Sequence, residues 1–171
     1  METMETAVMD QAVRNVAERE GKYLTFALAG EEYGIGILKV KEIIGLMAIT
    51  TIPQTPGYVK GVINLRGKVI PVADLRLKFN MEAMDYTERT CIIVVEIRGV
   101  DRTVLMGIVV DSVSEVLNIK GEDIEDTPDF GSKLDNAAIL GMAKTNGSVK
   151  VLLDIDRVFR GEEMSAVERA A

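Results

Sequence analysis

The run Gly61-Val62-Ile63-Asn64-Leu65-Arg66-Gly67-Lys68-Val69-Ile70-Pro71-Val72-Ala73-Asp74-Leu75 decides the fold. Residues 61–65 and 68–72 are rich in apolar and β-branched side chains, and they flank Arg66-Gly67, so they read as two strands around a tight turn. Asp74 then reads as the N-cap of a short helix through Phe79, its carboxylate taking the first free backbone N–H groups. Eighty positions later the pattern returns. Gly61 falls on Gly141, Gly67 on Gly147, Val69 on Val149, Val72 on Leu152, Asp74 on Asp154, Leu75 on Ile155 and Phe79 on Phe159. In the second copy the turn is Asn146-Gly147, a strong two-residue hairpin signal because Asn tolerates positive φ.

Upstream of both runs the likeness continues at a spacing of 73. Gly34-Ile35 falls on Gly107-Ile108, Ile37 on Val110, Val40 on Val113 and Glu42 on Glu115. Ile43, Ile44 and Leu46 fall on Val116, Leu117 and Ile119. Order and chemistry are both kept, which indicates an internal duplication. Further strands are expected over residues 23–28, 33–37, 90–97, 103–110, 112–119, 139–144 and 149–153. Val40, Ile43 and Ile44 have helical spacing and suggest a helical turn. Residues 121–134 read as a polar loop. Many short strands with frequent turn signals indicate an all-β fold. We expect two intertwined five-stranded β-barrel subdomains, each closed by a short Asp-capped helix. Each alone has about 65 residues and a marginal core, so shared apolar packing is expected. The groove where they meet is a natural binding site.

The expected boundaries are a flexible N-terminal tail at 1–20, one duplicated domain at 21–164 and a tail at 165–171. Within the domain, one subdomain takes roughly 38–88 plus C-terminal elements, and the other 22–37 plus 89–153.

The chain has 171 residues, no His, one Cys and a net charge of −7. Without His there is no Ser-His-Asp or Cys-His pair and no His-ligated metal; one Cys excludes an internal disulfide and a multi-Cys zinc site. The acidic balance argues against general nucleic-acid binding. No run of about 18 apolar residues is present, and no basic start with an apolar stretch, so neither a membrane span nor a secretory signal is expected. A cytoplasmic location follows, and Cys91 fits a reducing compartment. No cofactor or metal is expected.

Candidate chemistry is sparse. Glu31-Glu32 and Glu162-Glu163 read as solvated charges. Glu42 and Glu115 match in the repeat, but nothing in the sequence pairs them. Asp74 and Asp154 read as caps rather than metal ligands. Lys144 and Lys150 read as solubility charges, Cys91 as a buried inert thiol, and Met106 and Met142 as core. Lys39, Lys41, Lys60, Arg66 and Lys68 form a basic cluster in an acidic chain. It reads either as a solvated face or as a complement to an acidic partner. Arg66 stands where the other copy has Asn, although Arg suits positive φ poorly. Either the turn differs or the guanidinium is kept for what it binds. Two function classes survive: a protein-interaction module and a small-ligand-binding regulatory barrel.

Gly34-Ile35, Val40-Lys41-Glu42-Ile43, Pro56, the run from Gly61 to Arg76, Gly107 to Val113 and Leu153-Asp154-Ile155 resemble the CheW family of chemotaxis coupling proteins. The resemblance covers about residues 22–164. It implies two intertwined SH3-like barrels and a non-enzymatic adaptor. The adaptor would join the cytoplasmic helical hairpin tip of chemoreceptors to the regulatory domain of the histidine kinase CheA, at membrane-bound receptor arrays. It implies a free protein that is monomeric, with no direct membrane insertion. By motif position, Val40, Glu42, Gly61, Asn64, Arg66 and Gly67 are the expected partner contacts. In arrays, the first subdomain would meet the second half of the kinase domain, and the second subdomain the first half, through an apolar pseudo-symmetric contact.

Overall fold

Alternating apolar and polar residues, broken by turn residues, give eleven strands in a computed structural model that describes residues 19–99, 101–127 and 138–159. They are β1 (Gly21–Leu28), β2 (Glu31–Gly36), β3 (Val40–Gly45), β4 (Val59–Leu65), β5 (Lys68–Asp74) and β6 (Cys91–Arg98). β7 (Thr103–Val110), β8 (Ser112–Ile119), β9 (Ile124–Glu125), β10 (Ile139–Thr145) and β11 (Ser148–Leu153) complete the set. Two short helices, α1 (Leu75–Lys78) and α2 (Ile155–Val158), follow β5 and β11. The expected tails at 1–20 and 165–171 lie almost wholly outside the described residues, as does the second half of the expected polar loop at 121–134, whose first half carries a 3₁₀ turn and β9.

The strands form two sheets. One has the order β3-β6-β7-β5-β4, and the other β8-β1-β2-β11-β10-β9. In the first, Thr50, beyond β3, bridges to Val62 in β4; in the second, β9, beyond β8, pairs with Met142 and Ala143 of β10. The two ends of each strand order are therefore drawn together by the same device, which curls each sheet toward a barrel.

The duplication runs β1–β5 and β6–β11, yet each sheet mixes the copies. Hairpin β1-β2 joins β8–β11, and hairpin β6-β7 joins β3–β5. Link length explains the exchange. β2 and β3 are joined by residues 37–39, and β7 and β8 by Asp111 alone. Within an unexchanged barrel, β1 would separate β2 from β3 and make them parallel. Parallel strands need a crossover of roughly a dozen residues, because the chain must run back a full strand length. Three residues reach only about 11 Å. Each hairpin must therefore continue into the other copy's barrel, where its second strand lies parallel to the strand before the helix: β7 beside β5 and β2 beside β11. The strand pairing corrects the expected partition: residues 91–110 belong with 40–74, not with the second subdomain.

Burial follows from this weave. Ile92 and Val94 of β6 point into the first barrel with Ile63, Ile70, Val72 and Val109. The alternate residues Ile93, Val95 and Ile97 point the other way, into a core shared between the barrels with Leu24, Phe26, Leu28, Ile35, Met106 and Phe159. A small third cluster, Tyr23, Ile119, Ile124, Ala143 and Leu152, fills the second barrel. A strand buried on both faces must be apolar at successive positions, which accounts for the unbroken run 91–95. The shared core is the largest of the three, as the marginal size of one repeat requires. It also fills the junction that the sequence offered as a groove.

β3 replaces the helical turn expected from Val40, Ile43 and Ile44. A 3₁₀ turn occupies Ile37–Lys39 instead. Glu42 and Ile44 lie on one side of β3, Ile44 against the first barrel's core, while Val40 packs into the shared core on the other side and Ile43, apolar but exposed, mimics a helical period. The register shifts between Val40↔Val95 and Glu42↔Val94, so Lys41 is an extra residue in a bulge.

Candidate functional site: the Arg66 turn and the barrel junction

The β4–β5 hairpin turns through Arg66 at φ 51° and Gly67 at φ 84°. Asn146 and Gly147 turn the β10–β11 hairpin at φ 48° and 79°. The two turns are alike, so Arg66 holds a left-handed conformation that Asn would adopt at lower cost. Asn64 stabilises the turn: its Oδ1 accepts a hydrogen bond from the Gly67 N–H at 2.8 Å. Arg66 Nη2 donates to Glu42 Oε1 on β3. The Arg66 side chain remains 72 % exposed and Glu42 30 %. Glu42, Asn64, Arg66 and Gly67 thus form one connected outer face. Val69, opposite Asn64 in the ladder, adds an apolar side chain that is 52 % exposed. Exposed Ile43 follows Glu42 on β3.

Val40 lies on the same strand as Glu42 but packs half-buried against the shared core. Gly61 is buried rather than surface-forming. It has φ 140°, and a Cβ there would sit 1.9 Å from the Thr50 carbonyl oxygen. It lets β4 lie against the segment around Thr50 that closes the barrel. Lys41 pairs with Glu96 at 2.7 Å, whereas Lys60 lies over the Tyr86 ring. Lys60, Leu77, Met84, Asp85 and Tyr86 line an open hollow of about 310 Å³ beside α1. Tyr86 donates to Asp74 Oδ2 at 2.9 Å; burial, that hydrogen bond and the Asp74 charge all push the phenol pKa up.

Both proposed caps form. Asp74 Oδ1 accepts from the N–H groups of Arg76 and Leu77, and Asp154 Oδ1 from that of Asp156. Lys150, expected as a solubility charge, is instead buried and pairs with Glu32 at 2.8 Å across the β11–β2 interface. Parallel pairing of β11 with β2 brings the two side chains together, and no spacing within the sequence reveals it. Cys91 is half-buried, Met106 fully buried and Met142 half-buried.

Two junction ion pairs escaped sequence reasoning. Arg76 on α1 grips Asp111 through two parallel bonds, Nε to Oδ1 at 2.7 Å and Nη2 to Oδ2 at 2.6 Å. Asp111 Oδ2 also accepts from the Ala29 N–H in the β1–β2 turn at 2.8 Å. Partial burial works against the Asp111 charge, but the bonds from Arg76 and Ala29 and the Arg76 charge outweigh it and lower its pKa. Asp156 on α2 pairs with Lys39 at 2.6 Å and accepts from the Arg98 N–H at 2.8 Å. One signal was available: Arg76 and Asp156 share a position in the repeat but carry opposite charge.

Among the described residues no cluster of His, Cys, Asp and Glu is suited to a metal, and no helix is long and apolar enough to cross a membrane.

The family model for the CheW-like domain matches residues 22–163. The chain is similar to the chemotaxis protein CheW of Klebsiella aerogenes, 41 % identical over 150 residues that cover 88 % of each chain. It is 33 % identical to chemotaxis protein CheW of Rhizobium meliloti over 92 % of this chain and 99 % of that one. Among solved structures it resembles the scaffolding protein TtCheW of Thermoanaerobacter tengcongensis, with TM-score 0.74 and 35 % identity, covering 84 % of this chain and 95 % of that one. A family match over most of the chain, with relatives above 30 % identity, leaves one conclusion: the chain belongs to the CheW-like domain family of chemotaxis scaffold proteins, which are not enzymes.

Proposed function

We propose that this protein is an adaptor that couples the cytoplasmic hairpin tip of a chemoreceptor to the regulatory domain of the histidine kinase CheA, at receptor arrays. The observation that carries the reading is the face built on Arg66. Left-handed Arg is a costly choice at a turn where Asn serves in the other copy. Its guanidinium stands largely in solvent, paired with Glu42, and Val69 is exposed on the same hairpin. An exposed apolar side chain among charged ones suits a protein-binding surface. Val40, Glu42, Asn64, Arg66 and Gly67 form or back this contact, and Gly61 keeps β4 in place beneath it. The woven barrels and their shared core supply a stiff body between two faces, and this is what a coupling element needs if the signalling states of a receptor are to be felt by a kinase.

Reconstitution of receptor, kinase and adaptor tests the proposal. Arg66→Ala is expected to keep the fold and to lower receptor-dependent kinase activation. Activation equal to that of the wild type would defeat the assignment of Arg66.

A further inference from the structure

The two junction ion pairs are alike in place, each joining a helix to a strand crossover, and inverted in sign; Arg76 and Asp156 share a repeat position, whereas Asp111 falls on Leu38, one residue before Lys39. The first repeat carries a cation on its helix, Arg76, and a cation at its own strand crossover, Lys39. The second carries an anion at both places, Asp156 and Asp111. Each crossover is therefore matched to the other repeat's helix and mismatched to its own. We infer that this inverted charge pattern directs each first hairpin onto the opposite repeat of the same chain, and so makes the molecule close on itself rather than exchange hairpins with a like repeat of a second copy.

The short links already force each hairpin out of its own barrel. Two destinations remain: the other repeat of the same chain, or the same repeat of another chain. The repeats are alike in backbone, so hydrogen-bonded strand pairing discriminates weakly between them; the buried Lys150–Glu32 pair of β11–β2, whose repeat counterparts are Ile70 and Leu105, favours the same pairing. Gly34 is pressed by Leu152 across the β2–β11 pair, and Gly107 by Ile92 and Val72 beside the β7–β5 pair. Charge does discriminate. With the first repeats exchanged between two chains, Lys39 would face Arg76 twice. With the second repeats exchanged, Asp111 would face Asp156 twice. Asp74 offers Lys39 little relief, since its carboxylate is held by Tyr86 and the α1 backbone. The native sites are partly desolvated: Arg76 and Asp111 side chains are 12 % and 20 % exposed. Like charges there repel far more than on an open surface. Asp111 and Asp156 are each anchored further by a backbone N–H at or beside a hairpin turn, that of Ala29 or Arg98. Each clamp thus joins a helix, a crossover and a hairpin. This inference stands on the fold and does not depend on the adaptor reading.

The test exchanges charges within one clamp, Arg76→Asp with Asp111→Arg. The variant keeps an oppositely charged pair at the native site, but its first repeats now match each other, Lys39 to Asp at 76. The full-length protein is refolded from denaturant over a range of concentrations and resolved by size-exclusion chromatography with light scattering. A several-fold larger oligomer fraction than wild type is expected, rising with concentration. Exchanging the second clamp as well, Lys39→Asp with Asp156→Lys, restores the mismatch between like repeats and is expected to return the monomer, although it carries twice as many substitutions. A double variant as monomeric as wild type, or a quadruple variant as oligomeric as the double, would overturn the inference. Should the double variant not fold, the neutral pair Lys39→Gln with Asp156→Asn is read in the same way: more oligomer supports the inference, and wild-type behaviour refutes it.

Discussion

Arg66, Gly61 and Asp111 occupy strained, crowded and half-buried sites, and each site dictates what a substitution does. Arg66 pairs with Glu42 in an exposed contact of the kind worth about 0–1 kcal/mol. Arg66→Ala should therefore change unfolding free energy by less than about 1 kcal/mol in a denaturant melt while reducing coupling. Gly61→Ala should be severe, because the new Cβ would meet the Thr50 carbonyl in a backbone conformation that disfavours side chains. A loss on the order of 3 kcal/mol or more is expected by the same melt. Asp111 gives a pH signature. Its pKa in the folded protein lies below the ordinary 3.8, so its charge stabilises the fold above that value. That contribution is lost as pH falls through the depressed value. Asp111→Asn should thus be less stable than wild type at neutral pH, with the gap closing in acid below about pH 4. A gap that stays constant down to pH 2 would contradict the linkage. The sequence exposed Arg66 through its mismatch with Asn146. It hid Asp111, because the partner Arg76 lies on another element and no local pattern joins them.

The strands, turns and caps were largely legible, since they rest on local chemistry. Asn146-Gly147 specifies its turn, and Asp74 and Asp154 cap helices of only four residues. Asp154→Ala should cost about 1 kcal/mol in a thermal or denaturant melt, with binding touched only indirectly. Normal stability together with lost affinity would overturn its structural role. β3 was misread because exposed Ile43 mimics a helical period and the Lys41 bulge breaks the strand's regularity. Lys150 was misread because its partner, Glu32, comes from a parallel neighbour more than a hundred residues away.

At the scale of the molecule, the duplication announced two barrels but not their weave. The decisive facts were the lengths of the links at 37–39 and Asp111, whose meaning emerges only when strand order is known. Because the largest core lies between the barrels, neither can unfold without exposing it. A single calorimetric transition is expected, and two resolved transitions would count against the shared core as the main source of stability. Bridging of receptor to kinase is read by a ternary capture: an immobilised receptor hairpin tip, the kinase regulatory domain in solution, and this protein added in increasing amounts. Kinase-domain retention is expected to rise with added protein and to fall with Arg66→Ala. Retention that does not depend on the protein, or none at any concentration, would contradict bridging.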